Sequence, residues 1–141
     1  MTSPGAAGGG TQTADDFTRW LERYRDAMVR LDPTAAGDLF STDASYRESP
    51  FAETIKGRAQ IVAYWEMVAT VMRDVDFSFD VLAVDGDVGV AHVRDTLTRV
   101  PSGKRARYDG IFAARFDDEL RCVDFREWWV QLPPESEPAR T

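Results

Sequence analysis

The sequence predicts an α+β fold in which helices pack on the concave side of a curved antiparallel sheet. In the first half of the chain apolar residues recur at helical spacing, whereas from Val75 onward apolar and polar residues alternate. Helices early and hairpins late are typical of an α+β domain. Because a strongly bent sheet leaves a space beneath the helices, that space is the natural place for a small-molecule pocket.

The totals of the chain limit the classes of function. A length of 141 residues suggests one domain, and a net charge of −7 argues against a nucleic-acid partner and an anionic membrane partner. Cys122 is the only cysteine, so no internal disulfide is possible, which fits a cytoplasmic location. It lies in a predicted strand, where we expect a buried, unreactive thiol. With one histidine and one cysteine, we expect no metal and no cofactor.

Two helices are predicted before the first strand. Residues 1–14 are rich in Gly, Ser, Thr and Ala and are predicted to form a flexible tail, after which Asp15 caps the first helix. Pro33 opens a short second helix, "PTAAGDLF". The apolar stripe of the first helix consists of Phe17, Trp20, Leu21, Tyr24, Met28 and Leu31.

One short strand, a third helix and four long strands are predicted next. The stretch "DASYRESPF", residues 43–51, alternates like a half-buried strand, and Gly57 to Met72 has helical spacing. Hairpin signals then separate "VDFSFDVLAVDGD", "VGVAHVRDTLTRV", "RARYDGIFAARF" and "LRCVDFREWWVQL". The domain is therefore predicted to span residues 15–132, and residues 133–141 to form a second flexible tail.

Three carboxylates interrupt strand faces that otherwise point inward. Residues two apart share a face of a strand, and an unpaired charge on a buried face is costly unless it is protonated or meets a wet cavity. The three are Glu48, on the face of Ala44 and Tyr46; Asp95, on the face of Ala91, Val93 and Leu97; and Glu127, on the face of Val123, Phe125 and Trp129.

The alternative is that these acids are surface or salt-bridged residues. One β-bulge reverses the face of every later residue, and Arg115 and Arg126 could serve as structural partners. If the acids instead meet in one apolar pocket, burial raises their pKa values toward neutral pH. Two such carboxylates can then work as one acid and one base, which requires neither a metal nor a nucleotide.

Four segments carry a family resemblance: "RYRDAMVRLDPTAAGDLFSTDASY", "KGRAQIVAYW", "YDGIFAARFD" and "FREWW". In their order and spacing, from about Asp15 to Leu132, they are similar to the SnoaL-like branch of the nuclear transport factor 2-like superfamily. The resemblance implies a cone-shaped half-barrel, often a homodimer, with a deep pocket between sheet and helices.

Two enzymes of that superfamily have functional residues that can be matched to individual positions of this sequence. Ketosteroid isomerases carry a tyrosine on the first helix, which Tyr24 matches, and a general base just before a proline, which Glu48 matches with one residue interposed. Their second acid falls near Phe112, so it is missing; Asp109 could substitute, although alternation puts it on the opposite face. The resemblance implies that Glu48 is a base and that Tyr24 donates a hydrogen bond to developing negative charge.

Limonene epoxide hydrolase instead uses an Asp-Arg-Asp arrangement. Its acids are matched by Asp95 and Glu127, but Val93 stands where the arginine should be, and Arg94 points to the opposite face. SnoaL-type polyketide cyclases use an Asp or a His-Asp arrangement, which leaves His92 as a further candidate.

Aromatic residues complete the predicted pocket. Trp128 points away from it beside Val130, which suits a homodimer interface on the outer face of the sheet. The tryptophans on the apolar stripes are core residues that also line the pocket wall. The predicted substrate-binding residues are Trp20, Tyr46, Trp65, His92, Asp109, Phe112 and Trp129.

The sequence therefore favours a cofactor-independent isomerase, cyclase or hydrolase that acts on a small hydrophobic molecule by carboxylate acid–base chemistry. The predicted catalytic residues are Glu48, Asp95, Glu127 and Tyr24, with Asp95 and Glu127 holding a water or a second proton. The alternative is a non-catalytic ligand-binding or dimerisation module, because this fold hosts both.

Overall fold

The computed structural model describes residues 12–132, which form three helices and six strands. Most of the two predicted tails, residues 1–11 and 133–141, lies outside the described residues. The elements are α1 Ala14–Arg30, α2 Pro33–Gly37, β1 Phe40–Arg47, β2 Ile55–Lys56, α3 Arg58–Val68, β3 Met72–Asp85, β4 Val88–Arg99, β5 Arg105–Phe116 and β6 Cys122–Leu132.

The first helix begins with a capping box whose cap lies two residues earlier than expected. The Thr13 side chain accepts a hydrogen bond from the Asp16 backbone N–H at 3.0 Å, and the Asp16 carboxylate accepts one from the Thr13 N–H at 3.1 Å. Thr13, and not the predicted Asp15, is therefore the cap, because only Thr13 has the extended backbone that this reciprocal pair requires. Asp15 lies in the first turn, where its negative charge interacts favourably with the positive end of the helix dipole.

The six strands form one sheet in the order β2-β1-β6-β5-β4-β3. The predicted α+β fold, with helices on one side of a curved sheet, is confirmed. The expectation of a wholly antiparallel sheet is wrong at one pair, because β1 and β6 run parallel. These two strands meet through a long crossover that contains α3 and four strands, and only such a connection permits parallel pairing.

Two boundaries differ from the sequence prediction. The third helix ends at Val68, and β3 begins at Met72 although the alternating pattern starts at Val75. The strand is irregular between Arg73 and Asp76, where Asp74 has a φ of 55°, and this bulge interrupts the alternation that would have revealed its first residues. The short strand β2 was not predicted, since two residues cannot show a period.

Helix α1 and the inner face of the sheet share one hydrophobic core. Gly89 of β4 lies so close to the Phe17 ring that a Cβ atom there would fall 2.7 Å from it, so glycine permits this close approach. Trp20 lies at the centre of the cluster, and its Nε1 donates to the Leu39 carbonyl oxygen at 3.1 Å. The rings around Trp20 belong to Phe17, Tyr24, Phe40, Phe116 and Phe125.

The only cysteine is part of this core, as expected. Cys122 is fully buried, and its Sγ donates to the Asp124 carbonyl oxygen at 3.4 Å. Burial raises the pKa of the Cys122 thiol far above its ordinary value, so the thiolate that nucleophilic chemistry requires does not form near neutral pH.

The outer face of the sheet is partly apolar. Trp128 is 43% exposed and Val130 is 72% exposed, as the alternation of β6 predicts. The homodimer inferred from these residues stays a prediction. Among the residues that the structure describes, no helix is long and apolar enough to cross a membrane.

Candidate active site

A cavity of about 310 Å³ lies between the inner face of the sheet and helices α1 and α3. Its volume is at the lower end of the range for small-molecule sites. All four tyrosines of the chain contribute to its wall. The lining residues are Tyr24, Met28, Tyr46, Glu48, Tyr64, Trp65, Val68, Met72, Phe77, Val93, Asp95, Leu97, Arg99, Tyr108, Gly110, Phe112, Glu127, Trp129 and Gln131.

Strand register brings the three predicted carboxylates to this one cavity. Asp95 of β4 lies opposite Tyr108 of β5, and Glu127 of β6 lies opposite Phe112 of β5. Glu48 follows the last residue of β1, which runs parallel to β6, so that Glu48 extends along the side of Glu127. The three acids come from separate strands, and the curvature of the sheet directs them into the same space.

A glycine forms the floor of the cavity between the acids. Gly110 of β5 pairs with Trp129 of β6 and with Val93 of β4. A Cβ atom at this position would lie 2.2 Å from the Trp128 carbonyl oxygen, a distance that no side chain tolerates. Gly110 therefore allows the close approach of β5 and β6 at this bend, and it leaves the space above it empty of side chain.

None of the three carboxylates forms a hydrogen bond or an ion pair through its side chain with any residue between 12 and 132. The arginines that could have neutralised them point elsewhere. Arg94 pairs with Asp80 on the outer face, and Arg126 pairs with Asp124. The salt-bridged alternative is therefore wrong for these acids.

Burial raises the pKa of two of the three acids. It raises the pKa of Asp95 from its ordinary value of 3.8 to about 6. It raises the pKa of Glu127 well above 4.5, and the negative charges of Asp95 and Glu48 raise it further. Asp95 therefore loses its proton near pH 6, and Glu127 holds its proton to a higher pH than an ordinary glutamate does.

The tyrosines beside these acids stay neutral. Burial is the largest cause of the raised pKa at Tyr24 and Tyr46, and the nearby charge of Glu127 adds to it at both. Their hydroxyl groups lie close enough together to influence each other's pKa. Neutral phenols in such a position are hydrogen-bond donors, which is the role the sequence predicted for Tyr24.

The wall also contains one hydrogen-bond donor without an acceptor. Trp65 is 3% exposed, and its Nε1 lies near the Tyr46 hydroxyl without a hydrogen bond of ordinary geometry to any described residue. Trp129, by contrast, donates from Nε1 to the Glu48 carbonyl oxygen at 2.7 Å. This bond ties the segment after β1 to β6, and it fixes the backbone position of Glu48.

The family model of the SnoaL-like domain matches residues 21–125, which include most of the sheet and two of the three acids, Glu48 and Asp95. The chain belongs to the SnoaL-like domain family.

Solved structures agree with that membership at the level of fold. One is the epoxide hydrolase/cyclase-like enzyme SalBIII, described as acting in pyran ring formation in the polyether salinomycin. It is 17% identical, with a TM-score of 0.72, over 82% of this chain and 92% of SalBIII. Another is a proposed isomerase from Bacillus subtilis, 20% identical, with a TM-score of 0.74, over 82% of this chain and 87% of that protein. A search of curated proteins finds no match.

Three predicted site residues do not line the cavity of this SnoaL-like domain. Trp20 is wholly occupied by the core, because α1 turns it toward Leu39 and away from the cavity. His92 and Asp109 lie on the outer face, because their chain neighbours Val93 and Gly110 face inward and successive residues of a strand point to opposite faces. There His92 Nε2 donates to Asp109 Oδ1 at 2.9 Å.

A second, larger concavity of about 480 Å³ crosses the outer face and includes Asp109. Asp95 lines both concavities, and on the outer face Arg94 pairs with Asp80 and Arg105 with Asp76. Of the two concavities, only the smaller one is also lined by Glu48 and Glu127. The three unpaired acids therefore come together at the inner cavity.

The remaining predicted residues do line the cavity, and sequence reasoning missed four polar ones. Tyr46, Trp65, Phe112 and Trp129 contribute to the wall, as expected. The four that were missed are Tyr64, Arg99, Tyr108 and Gln131, although strand alternation from Asp95 and Leu97 would have placed Arg99 on the inner face. Arg99 Nη1 donates to the Tyr108 hydroxyl oxygen at 2.8 Å.

Proposed function

We propose that this SnoaL-like domain is a cofactor-independent acid–base enzyme, of the isomerase or cyclase class, that acts on a small apolar molecule in the inner cavity. The observation that carries the proposal is three unpaired carboxylates facing one aromatic cavity, two of them with raised pKa values. Uncompensated burial of acids is costly to folding, and such a cost is typical of catalytic sites.

The two shifted acids have complementary roles. Asp95 is ionised above about pH 6, which suits it to accept a proton from the substrate. Burial and the charges of Asp95 and Glu48 raise the pKa of Glu127, which suits it to give a proton to a developing oxyanion or leaving group. Glu48 is the second candidate for the base, by its resemblance to the isomerase position, and Tyr24 and Tyr46 donate hydrogen bonds to the substrate.

Two reactions use such a pair of acids. One is proton transfer next to a carbonyl group, for which 2-tetralone is a probe of suitable size; deuterium exchange at its α-carbon in D₂O is followed by NMR. The other is ring opening of an epoxide, for which indene oxide is a probe. The fold neighbour SalBIII makes the second reaction worth testing, although a likeness of that identity shows only the fold.

The test compares inner acids with matched exposed acids. We expect Asp95→Asn and Glu127→Gln each to lower the rate by about 10²–10³, the usual contribution of a positioned acid or base. Glu48→Gln is assayed alongside them to decide which carboxylate is the base. Asp118→Asn and Glu66→Gln, which remove exposed acids that do not line the cavity, are the controls and should keep the wild-type rate. Equal rates for inner and control variants would leave the non-catalytic binding module as the better account.

A further inference from the structure

We propose that the cavity selects a ligand that carries a positive charge, or gains one during reaction, over a ligand that carries a negative charge. The proposal rests on the proposed function, because it names the substrate class of the same site. Its observations are the unbalanced charge of the lining, the aromatic walls and the placement of the one arginine that lines the cavity.

The charges of the lining do not cancel. Glu48, Asp95 and Glu127 face the cavity, and Arg99 is the only basic residue in the lining among residues 12–132. Arg99 is largely exposed to solvent and hydrogen bonded to the Tyr108 hydroxyl, so that its charge is screened by water. A cationic group in the cavity would therefore approach carboxylates that have no competing protein partner.

The walls add a second attraction for positive charge. The face of an aromatic ring carries partial negative charge, and a cation within about 6 Å of the ring centre is attracted to it. The rings cluster tightly: the centroid of Tyr24 lies 5.5 Å from that of Trp65 and 5.0 Å from that of Phe112. At the β5–β6 side, Tyr108 and Trp129 form another pair at 5.3 Å. Eight aromatic side chains line the cavity in all: Tyr24, Tyr46, Tyr64, Trp65, Phe77, Tyr108, Phe112 and Trp129.

The titration of the lining agrees with this geometry. Burial, the largest cause of the raised pKa values in this cavity, disfavours charge of either sign. The negative charges of Asp95 and Glu48 raise the pKa of Glu127 further, and those of Glu48 and Glu127 raise that of Tyr64, an effect that disfavours added negative charge alone. An enolate-like transition state therefore gains less here than a transition state with positive charge on carbon. Of the two probe reactions, epoxide opening is the one that this electrostatic environment favours.

The acids and donors can complete that reaction without another reactant. Glu127 gives its proton to the epoxide oxygen as the carbon–oxygen bond breaks and positive charge grows on carbon. A hydroxyl oxygen, from water or from the substrate itself, forms the new carbon–oxygen bond and gives its proton to Asp95. Exchange with solvent then returns a proton to Glu127 and removes one from Asp95. The unpartnered Trp65 Nε1 lies in the same wall, where an ether oxygen is a suitable acceptor.

Three ligands of the same size and shape test the proposal. Phenyltrimethylammonium, tert-butylbenzene and benzenesulfonate differ mainly in charge, and their dissociation constants are measured by ¹⁵N NMR titration of the full chain at pH 7.5. We expect the cation to bind at least about 10-fold more tightly than the neutral isostere, as desolvated cation–π contacts allow, and the anion to bind most weakly. Asp95→Asn should weaken binding of the cation about 5-fold and leave tert-butylbenzene unchanged, whereas Asp118→Asn should change neither.

Equal affinities for the cation and its neutral isostere, tighter binding of benzenesulfonate, or binding of none of the three would overturn the inference. The result is independent of the enzyme assay. If neither 2-tetralone nor indene oxide reacts while the cation is preferred, the proposed function fails and the charge preference stands. If Asp95→Asn abolishes turnover while the three ligands bind alike, the charge preference fails and the proposed function stands.

Discussion

The two faces of one sheet treat their carboxylates in opposite ways. On the outer face, Asp80, Asp109 and Asp124 each contact a basic side chain, at 3.1, 2.9 and 3.2 Å. On the inner face, Asp95 and Glu127 contact none among the described residues, although Arg94 is the neighbour of Asp95 in sequence. The outer acids are placed for stability and solubility, and the inner acids are held at a cost to stability.

The difference in cost follows from solvation. An exposed acid keeps its hydration, so pairing it with arginine contributes little. A buried acid either loses its hydration or keeps a proton that the unfolded chain would release. The comparison therefore predicts that removing inner acids stabilises the protein and that removing outer acids does not.

The largest effect is expected at Glu127. Its raised pKa means that the native state holds a proton which the unfolded state releases above about pH 4.3, so that stability falls as the pH rises beyond that value. We expect Glu127→Gln to increase the free energy of unfolding at pH 7.5 by more than Asp95→Asn does, and by almost nothing at pH 4. Urea denaturation at both pH values measures the difference.

Glu66→Gln is the matched control for this change, because Glu66 is exposed and does not line the cavity. Its free energy of unfolding should stay within about 0.5 kcal/mol of the wild type. A destabilised Glu127→Gln variant at pH 7.5 would contradict the comparison, since it would mean that the carboxyl group makes contacts that outweigh its burial.

A smaller effect with a different pH window is expected at Asp95. The native pKa of about 6 lies above the ordinary value of 3.8, so its cost begins above about pH 4 and is complete above pH 6. We expect Asp95→Asn to stabilise by about 2 kcal/mol at pH 7.5, with a gain that stops growing above pH 7. The gain from Glu127→Gln should extend to a higher pH, because the charges of Asp95 and Glu48 add to the effect of burial on the pKa of Glu127.

A series of urea denaturations from pH 4 to pH 8.5 separates the two windows. Asp118→Asn serves as the exposed control. If the two inner variants show the same pH dependence, the two carboxylates titrate as one coupled group, and the separate roles of acid and base would have to be abandoned.

Much of the fold follows from local sequence signals. The helical stripe from Phe17 to Met28 and the alternation on the last four strands are long enough to specify their elements. The Thr13 cap, the bulge at Asp74 and the parallel pairing of β1 with β6 were not predicted. They depend on backbone conformation and on long-range contacts, which a periodic pattern does not contain.

The site was predictable where alternation applies and not elsewhere. Counting by two placed Asp95 and Glu127 inside, and the same count placed His92 and Asp109 outside, although the family resemblance kept them as candidates. Nothing in the sequence shows that Gly110 opens the floor of the cavity, because its role depends on how closely β6 approaches β5.

The smallest effect is expected on the outer face, at the pair formed by Asp80 and Arg94. Both side chains are well exposed, so Asp80→Asn should lower the free energy of unfolding by no more than about 1 kcal/mol, and 0.5 M NaCl should reduce the loss further. Arg94 Nη1 also donates to His92 Nδ1 at 2.9 Å, which leaves His92 Nε2 as the donor to Asp109. The hydrogen bond from Arg94 to His92 does not require Asp80, so it should limit the loss of stability in Asp80→Asn. A decrease in the free energy of unfolding of more than about 2 kcal/mol that persists in 0.5 M NaCl would show that Asp80 behaves like a buried acid. The contrast between the two faces would then fail.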